Sequence, residues 1–211
     1  MSVPTLILNI DDFVYDLYSL NQNLWQHHCA FHQLAFSDVF FMGYYDAHLD
    51  KQEKLLREYR AYQALVEPLQ EAFNLTLKFE TPHADSNSLN QIEQLSQHYS
   101  ILLLSNLDMR QAESLVRSSQ LSAYPLYSTK TVLNGKPEPD VFLKIARSLN
   151  VKANELHVVE STLNGIQAAY LANAKSIFLN LYGEPISTIK KFSTYRVESK
   201  AELLPFLRQI V

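Results

Sequence analysis

Residues 135–179 read GKPEPDVFLKIARSLNVKANELHVVESTLNGIQAAYLANAKSIFL. Gly135-Lys136-Pro137 is a turn signal. Pro139 or Asp140 to Leu149 carries apolar residues at helical spacing, and Leu156 to Val159 is a short apolar run. Leu163 to Ala172 is helical again, and Ser176 to Leu179 is a second apolar run. Helix and strand in that rhythm predict parallel strands joined by helical crossovers.

The same rhythm extends outward. Asn87 to Tyr99 reads as a helix, and Ile101 to Leu104 as a buried strand ending at Ser105-Asn106. Asp108 can cap a helix running to Ser119, and Leu126 to Ser128 is a short strand. Thr5 to Ile10, TLILNI, is another buried strand and runs into Asp11-Asp12. Toward the C-terminus, Tyr195 to Val197 suits an edge strand, and Ser199-Lys200-Ala201-Glu202 is a capping box for a last helix. From Ser19 to Phe73 no strand is legible. There, polar residues interleave with Leu, Trp, Phe and Tyr at helical spacing, and Lys51 to Phe73 reads as one long stretch interrupted near Pro68. The expectation is an α/β fold: a doubly wound, Rossmann-like parallel sheet with an all-helical segment inserted after the first strand. The core spans 1–14 and 86–211, and the insert 15–85. Ligand sites in such sheets lie beyond the C-terminal strand ends, which selects Asn9 to Asp12, Ser105-Asn106, Glu160-Ser161, and Lys136 in its loop.

Composition narrows the function classes. The chain has 211 residues and 4 glycines, where average usage of about 7% would give roughly 15. Gly-rich nucleotide loops are therefore excluded. A net charge of −4 removes the electrostatic drive for nucleic-acid binding. No apolar run reaches the ~18 residues of a membrane span. Met1-Ser2-Val3-Pro4 lacks the basic start of a secretory signal. The single cysteine, Cys29, forbids an internal disulfide, so a cytoplasmic location is expected.

The strand-end residues form a set. Asn9-Ile10-Asp11-Asp12-Phe13-Val14-Tyr15-Asp16 stands in the place of D-x-D-G-T-L-x-D, and Ser105-Asn106 in that of a Ser or Thr after a strand. Gly135 to Phe142 matches G-K-P-x-P-x-x-F. Glu160 to Ala169 follows E-D-S-x-x-G-I-x-A-A. Over nearly the whole chain this resembles the haloacid dehalogenase-like hydrolase superfamily, in its phosphatase and phosphoglucomutase-like branch with a helical cap. The resemblance implies an attacking Asp at position 9 and an acid/base at Asp11. It further implies phosphate held by Ser105, Asn106 and Lys136, and Mg²⁺ held through the first-motif acids with Glu160 and position 161.

The sequence departs from that pattern at two positions. Asn9, a carboxamide, replaces the nucleophile, and Ser161 replaces a metal-binding Asp. Of four acidic side chains expected around metal and phosphate, Asp11 and Glu160 are left. Neutral donors support Mg²⁺ far less well than carboxylates, so its binding is expected to be weak. Shifting the register to make Asp11 the attacking group leaves Phe13 as acid/base, and using Asp12 leaves Val14. The leading expectation is therefore a protein that has lost phosphatase activity and keeps an anion-binding concavity of Ser105, Asn106 and Lys136 for phosphate or a small phosphorylated ligand. Against that concavity stands a plainer reading, in which Ser105 caps a turn and Lys136 pairs with an acid such as Asp11 or Glu160. Two alternatives stay open: a working Mg²⁺-dependent phosphatase using Asp11, and a non-catalytic interaction subunit.

Half of the aromatic residues fall between Phe13 and Tyr62. They suit the interior of the cap and its seam with the core, or an exposed surface for a partner or second copy in a homodimer. Phe13 is expected to fill part of the site or pack on the cap. His28 and His32 have metal-compatible spacing but no matching acids. Glu53-Arg57 and Lys54-Glu58 mark a solvated helix face.

Overall fold

The computed structural model describes residues 3–79, 82–184 and 186–210. β1 (Thr5–Asn9) leads into a single helical turn, α1 (Ile10–Phe13). The insert follows as α2 (Leu17–Phe31), α3 (Asp38–Tyr44), α4 (Leu49–Glu58), a 3₁₀ segment (Arg60–Leu65) and α5 (Val66–Phe79). The chain then runs α6 (Ser86–Leu95), β2 (Ser100–Ser105), α7 (Met109–Arg117), β3 (Leu126–Ser128), α8 (Asp140–Leu149) and β4 (Leu156–Glu160). It closes with α9 (Leu163–Leu171), β5 (Lys175–Leu179), α10 (Ile186–Ile189), β6 (Tyr195–Val197) and α11 (Lys200–Gln209).

Among the described residues the strands form one six-stranded sheet in the order β3-β2-β1-β4-β5-β6, and every pairing is parallel. Its strands alternate between two apolar layers. Leu6, Leu8, Leu103 and Val159 face one, and Ile7, Leu102, Leu104 and Val158 face the other. Covering both faces explains why these strands read as unbroken apolar runs. The chain builds outward from β1 to β3, then returns to β4 on the other side of β1. The direction reverses between β1 and β4, where an open parallel sheet leaves a crevice.

The insert has its own apolar centre, built on Trp25, Phe40, Phe41, Tyr62, Leu65 and Leu69. Trp25 meets Phe40 edge-on at 5.2 Å, and Phe40 lies 4.6 Å from Tyr62; both are favoured ring separations. Most of the clustered aromatics thus form the interior of the insert, while Phe13 and Tyr15 join the main core and Phe31 is exposed. Its entry and exit are tied together by the Asp85 N–H, which donates to the Val14 carbonyl at 2.9 Å.

Several expectations are corrected. The helical run in the insert breaks at Tyr59, between α4 and the 3₁₀ segment, and not at Pro68. Pro68 lies in the first turn of α5, where its missing N–H would have had no helical partner. Phe13 takes the second of its two expected places: it packs in the layer that also holds Leu17, Leu20, Phe73 and Leu77 of the insert. It is buried in the main core, and its carbonyl accepts from Ser88 Oγ and Lys200 Nζ, both at 2.6 Å. Glu202 does help cap α11, but its carboxylate takes the Glu198 N–H, one residue ahead of the cap residue Ser199.

Candidate functional site

The expected residues converge at the C-terminal edge of the three central strands. Asn9 ends β1, Ser105 ends β2 and Glu160 ends β4. Lys136 reaches them from the loop before α8. All are buried: Asn9 is 3% exposed, Ser105 0%, and Asp11, Lys136 and Glu160 1% each.

Asn9 has a structural role. Its Oδ1 caps α1 by accepting the Asp11 N–H at 3.1 Å, and its Nδ2 donates to Glu160 Oε2 at 3.2 Å. Asp11 is gripped on both oxygens, by Ser105 Oγ and by the Asn106 N–H, each at 2.6 Å. Ser105 Oγ also accepts the Leu107 N–H at 3.1 Å, so it caps a turn as well. Lys136 Nζ lies 2.7 Å from Glu160 Oε1. The donors assigned to phosphate are thus engaged with the protein's own carboxylates. Behind Glu160, α9 comes so close that a Cβ on Gly165 would stand 2.2 Å from Glu160 Oε2. Only glycine leaves that side chain its place.

Two further carboxylates belong to the site, which corrects the expectation that only Asp11 and Glu160 remain. Asp12 accepts from Ser161 Oγ and from the Tyr45 hydroxyl, both at 2.8 Å. Ser161 gives up an acid, and Asp12 brings one to its hydroxyl. Asp46 comes from the insert, with its side chain 0% exposed. Its Oδ2 accepts from Thr162 Oγ at 2.6 Å and pairs with Lys136 Nζ at 3.3 Å. Four buried carboxylates therefore gather at the site, two of which, Glu160 and Asp46, pair with the Lys136 ammonium.

Burial dominates the electrostatics. It pushes Asp11 up to about 6 against the hydrogen bonds from Ser105 and Asn106. It pushes Asp12 up to about 7, helped by the charge of Asp11. Glu160 is raised by burial against the pull of Lys136. Burial alone would lower Lys136, but Glu160 and Asp46 outweigh it and hold the ammonium above its usual range.

These shifts set a pH dependence. An acid whose folded pKa lies above its unfolded value binds its proton more tightly in the native state, so stability falls as pH rises through that interval. His157 works in the opposite direction between about 4 and 6.5, because burial and Lys175 lower it to about 4. From pH 6.5 to 8 the upper part of the Asp12 titration and the tail of Asp11 lower stability, and Glu160, also raised by burial, acts in the same direction. The thermal midpoint of the wild type should fall over that range by a few degrees, about 2–4 °C for each kcal/mol. Asp12→Asn should flatten the slope. A midpoint that rises from pH 6.5 to 8 would contradict the assignment.

The donors do not fit Mg²⁺. Positions 9 and 161 offer neutral side chains, both oxygens of Asp11 are committed, and Glu160 is paired. Among the described residues no group of three or more His, Cys, Asp or Glu side chains is placed to hold a metal ion. His28 is half-buried on α2 and His32 exposed just after it, and neither belongs to such a group.

A cleft of about 560 Å³ separates the insert from the core. Asp11, Asp46, Asn106 and Lys136 form its floor, and Trp25 and Phe73 are among its walls.

Sequence reasoning missed Asp46, Tyr45 and Thr162 as site residues, and considered Asp12 only as an attacking group in a shifted register or as a stand-in for glycine. Asp12 lies within the turn of α1 and not in left-handed backbone. Left-handed geometry falls instead on Asp16 (φ 49°), Asp46 (φ 57°) and Asn173 (φ 62°). An Asp ending an aromatic run in the insert, Tyr44-Tyr45-Asp46, was the available signal, since Asp tolerates this geometry better than most residues.

No curated protein matches the chain. Solved structures do. A hydrolase from Pseudomonas syringae superposes with a TM-score of 0.77 at 16% identity, covering 99% of both chains. A HAD family hydrolase from Deinococcus radiodurans, solved with phosphate and sodium bound, gives 0.74 at 18% identity over 99% of this chain and 97% of its own. A β-phosphoglucomutase from Clostridium difficile gives 0.74 at 15% identity over 99% and 96%. No described helix is long and apolar enough to cross a membrane. The family model for haloacid dehalogenase-like hydrolases matches residues 32–179, which contain Ser105, Lys136 and Glu160 with their surrounding motifs. The chain belongs to the haloacid dehalogenase-like hydrolase family.

Proposed function

We propose that this protein no longer hydrolyses phosphate esters and that its helical insert acts as a cap over a non-catalytic site. The observation that carries this reading is Asn9. A carboxamide at the nucleophile position carries no charge and cannot form an acyl phosphate by the family's route, and here both its ends are committed to hydrogen bonds within the fold. The test is release of phosphate from p-nitrophenyl phosphate with Mg²⁺ supplied. Purified protein is expected to match the rate without protein. Turnover above that rate that disappears in Asp11→Asn would overturn the proposal and favour a phosphatase working through Asp11.

A second reading, anion binding without hydrolysis, is favoured by Ser105, the Asn106 N–H and Lys136. They meet at one strand-end site, and the Deinococcus neighbour carries bound phosphate. An anion entering here would take over donors now held by Asp11, Glu160 and Asp46.

A further inference from the structure

We infer that Asp46 is a built-in occupant of the anion position: the insert sets its own carboxylate on Lys136 and Thr162, and an external anion gains them only when that carboxylate leaves. The inference rests on the reading of Lys136 as an anion-binding residue.

The geometry is that of a held ligand. Asp46 Oδ2 takes the Thr162 hydroxyl at 2.6 Å and the Lys136 ammonium at 3.3 Å. Thr162 is the N-cap of α9 and accepts the Gly165 N–H at 3.1 Å. The carboxylate therefore stands at the positive end of a helix dipole. Its other oxygen, Oδ1, is buried and finds no hydrogen-bond partner among the described residues. A carboxylate serving only a local fold would gain from pairing both oxygens. The left-handed backbone at Asp46 is a further cost, which surrounding contacts must offset.

Those contacts come from one short segment. The Tyr45 hydroxyl donates to Asp12 at 2.8 Å. The His48 N–H donates to the Lys136 carbonyl at 2.8 Å. Asn164 Nδ2 donates to the Tyr45 carbonyl at 3.0 Å, and Lys51 Nζ donates to Asn164 Oδ1. Residues 45–51 thus meet α1, the Lys136 loop and the first turn of α9 at once, and the Asp46 side chain they carry is fully buried. Charge favours exclusion as well. Lys136 is already shared by Glu160 and Asp46, so an added dianion would bring uncompensated negative charge into a buried site. Withdrawing Asp46 frees one side of the ammonium and the Thr162 hydroxyl together.

The experiment uses the whole protein, with Asp46→Ala and the shape-preserving Asp46→Asn. Trp25 is the only tryptophan of the chain, lines the cleft and is 4% exposed, so quenching by acrylamide reports opening. Sulfate, dianionic throughout the neutral range, reports the anion position by thermal protection. Asp46→Ala should raise the quenching constant at least twofold and tighten sulfate at least tenfold relative to wild type. Asp46→Asn should fall between, since its amide oxygen can still accept from Thr162; it also carries the test if the alanine variant does not fold. Unchanged quenching and unchanged sulfate affinity in both variants would overturn the inference. Sulfate binding equally well to wild type and Asp46→Ala, but not to Lys136→Met, would overturn the inference and leave the anion reading standing. Raised quenching with no sulfate bound by any variant would overturn that reading and the occupant with it.

Discussion

Phosphatase turnover should return only when three positions are changed together: Asn9→Asp, Asp12→Gly and Ser161→Asp. The pattern of the family suggests two, the lost nucleophile and the lost metal ligand. The structure shows why two are too few. Ser161 Oγ donates to Asp12 Oδ2 at 2.8 Å, so an aspartate at 161 would set carboxylate against carboxylate in a buried site, in the place of a hydrogen bond. Asn9→Asp adds another negative group 3.2 Å from Glu160 Oε2, where a donor now stands. The double variant is therefore expected to stay near background and to melt below the wild type. Removing Asp12 relieves that conflict, and glycine at one position of a short helical turn costs about 1 kcal/mol. Removing a hydrolase nucleophile elsewhere costs on the order of 10⁶ in turnover, which sets the range available for recovery. With Mg²⁺ supplied, the triple variant should release phosphate from p-nitrophenyl phosphate on the order of 10³-fold faster than wild type or more, and chelation by EDTA should abolish the gain. A double variant as active as the triple would show that Asp12 is no obstacle. An inert triple variant with a native melting profile would show that these three positions are not what blocks the chemistry.

The position of that obstacle explains what sequence could and could not reveal. Strands of a parallel sheet are buried on both faces and write themselves as local apolar runs, so β1, β2, β4 and β5 were legible within a residue or two. The topology follows from their alternation with helices, and it fixes the strand ends as the site. Asn9, Asp11, Ser105, Lys136 and Glu160 could therefore be picked out one by one. Lys136 with Glu160 was among the pairings the sequence offered, but the parts of Asp12 and Asp46 were not, because their partners lie far away in the chain. Asp12 meets Ser161 across 149 positions, and Asp46 meets Thr162 across 116. No local pattern records which buried acid faces which donor. The insert was least legible of all. Its helices are set by mutual packing of aromatics, so the break at Tyr59 left no strong signal, while Pro68 gave a false one by sitting where a helix tolerates it. The count of carboxylates failed for the same reason. Asp46 sits in a segment whose composition speaks of helix packing, and only the closed fold carries it to Lys136.

Neutralising Lys136 should produce the largest loss of stability of any single change at the site. Its ammonium is fully buried between Glu160 at 2.7 Å and Asp46 at 3.3 Å, and among the described residues it is the cation in direct contact with the site's acids. In Lys136→Met a chain of similar length remains, so packing changes little, but the acids lose their counter-charge. Breaking a buried ion pair by removing one partner costs about 3–5 kcal/mol. For a protein of this size that is roughly 6–20 °C in thermal midpoint. The acids can escape the penalty by taking up protons, so the deficit should shrink as the pH is lowered from 7.5 to 5.5. Asp11, already raised to about 6 although the charge of Lys136 holds it down, rises further once the ammonium is gone and becomes neutral earlier on acidification. The companion variant is Lys136→Met with Asp46→Asn and Glu160→Gln. It replaces the ionic cluster by groups of the same shape and should recover most of the lost midpoint at pH 7.5, since whole buried ionic sets are often replaceable at little cost. A single variant that melts within about 2 °C of wild type at pH 7.5, less than 1 kcal/mol at this size, would mean that the acids are not ionised around Lys136. A triple variant no better than the single would place the loss in packing instead of charge. Between those outcomes lies the physical basis of this site: three of its acids belong to the core, the fourth is brought by the insert, and one lysine makes their shared burial tolerable.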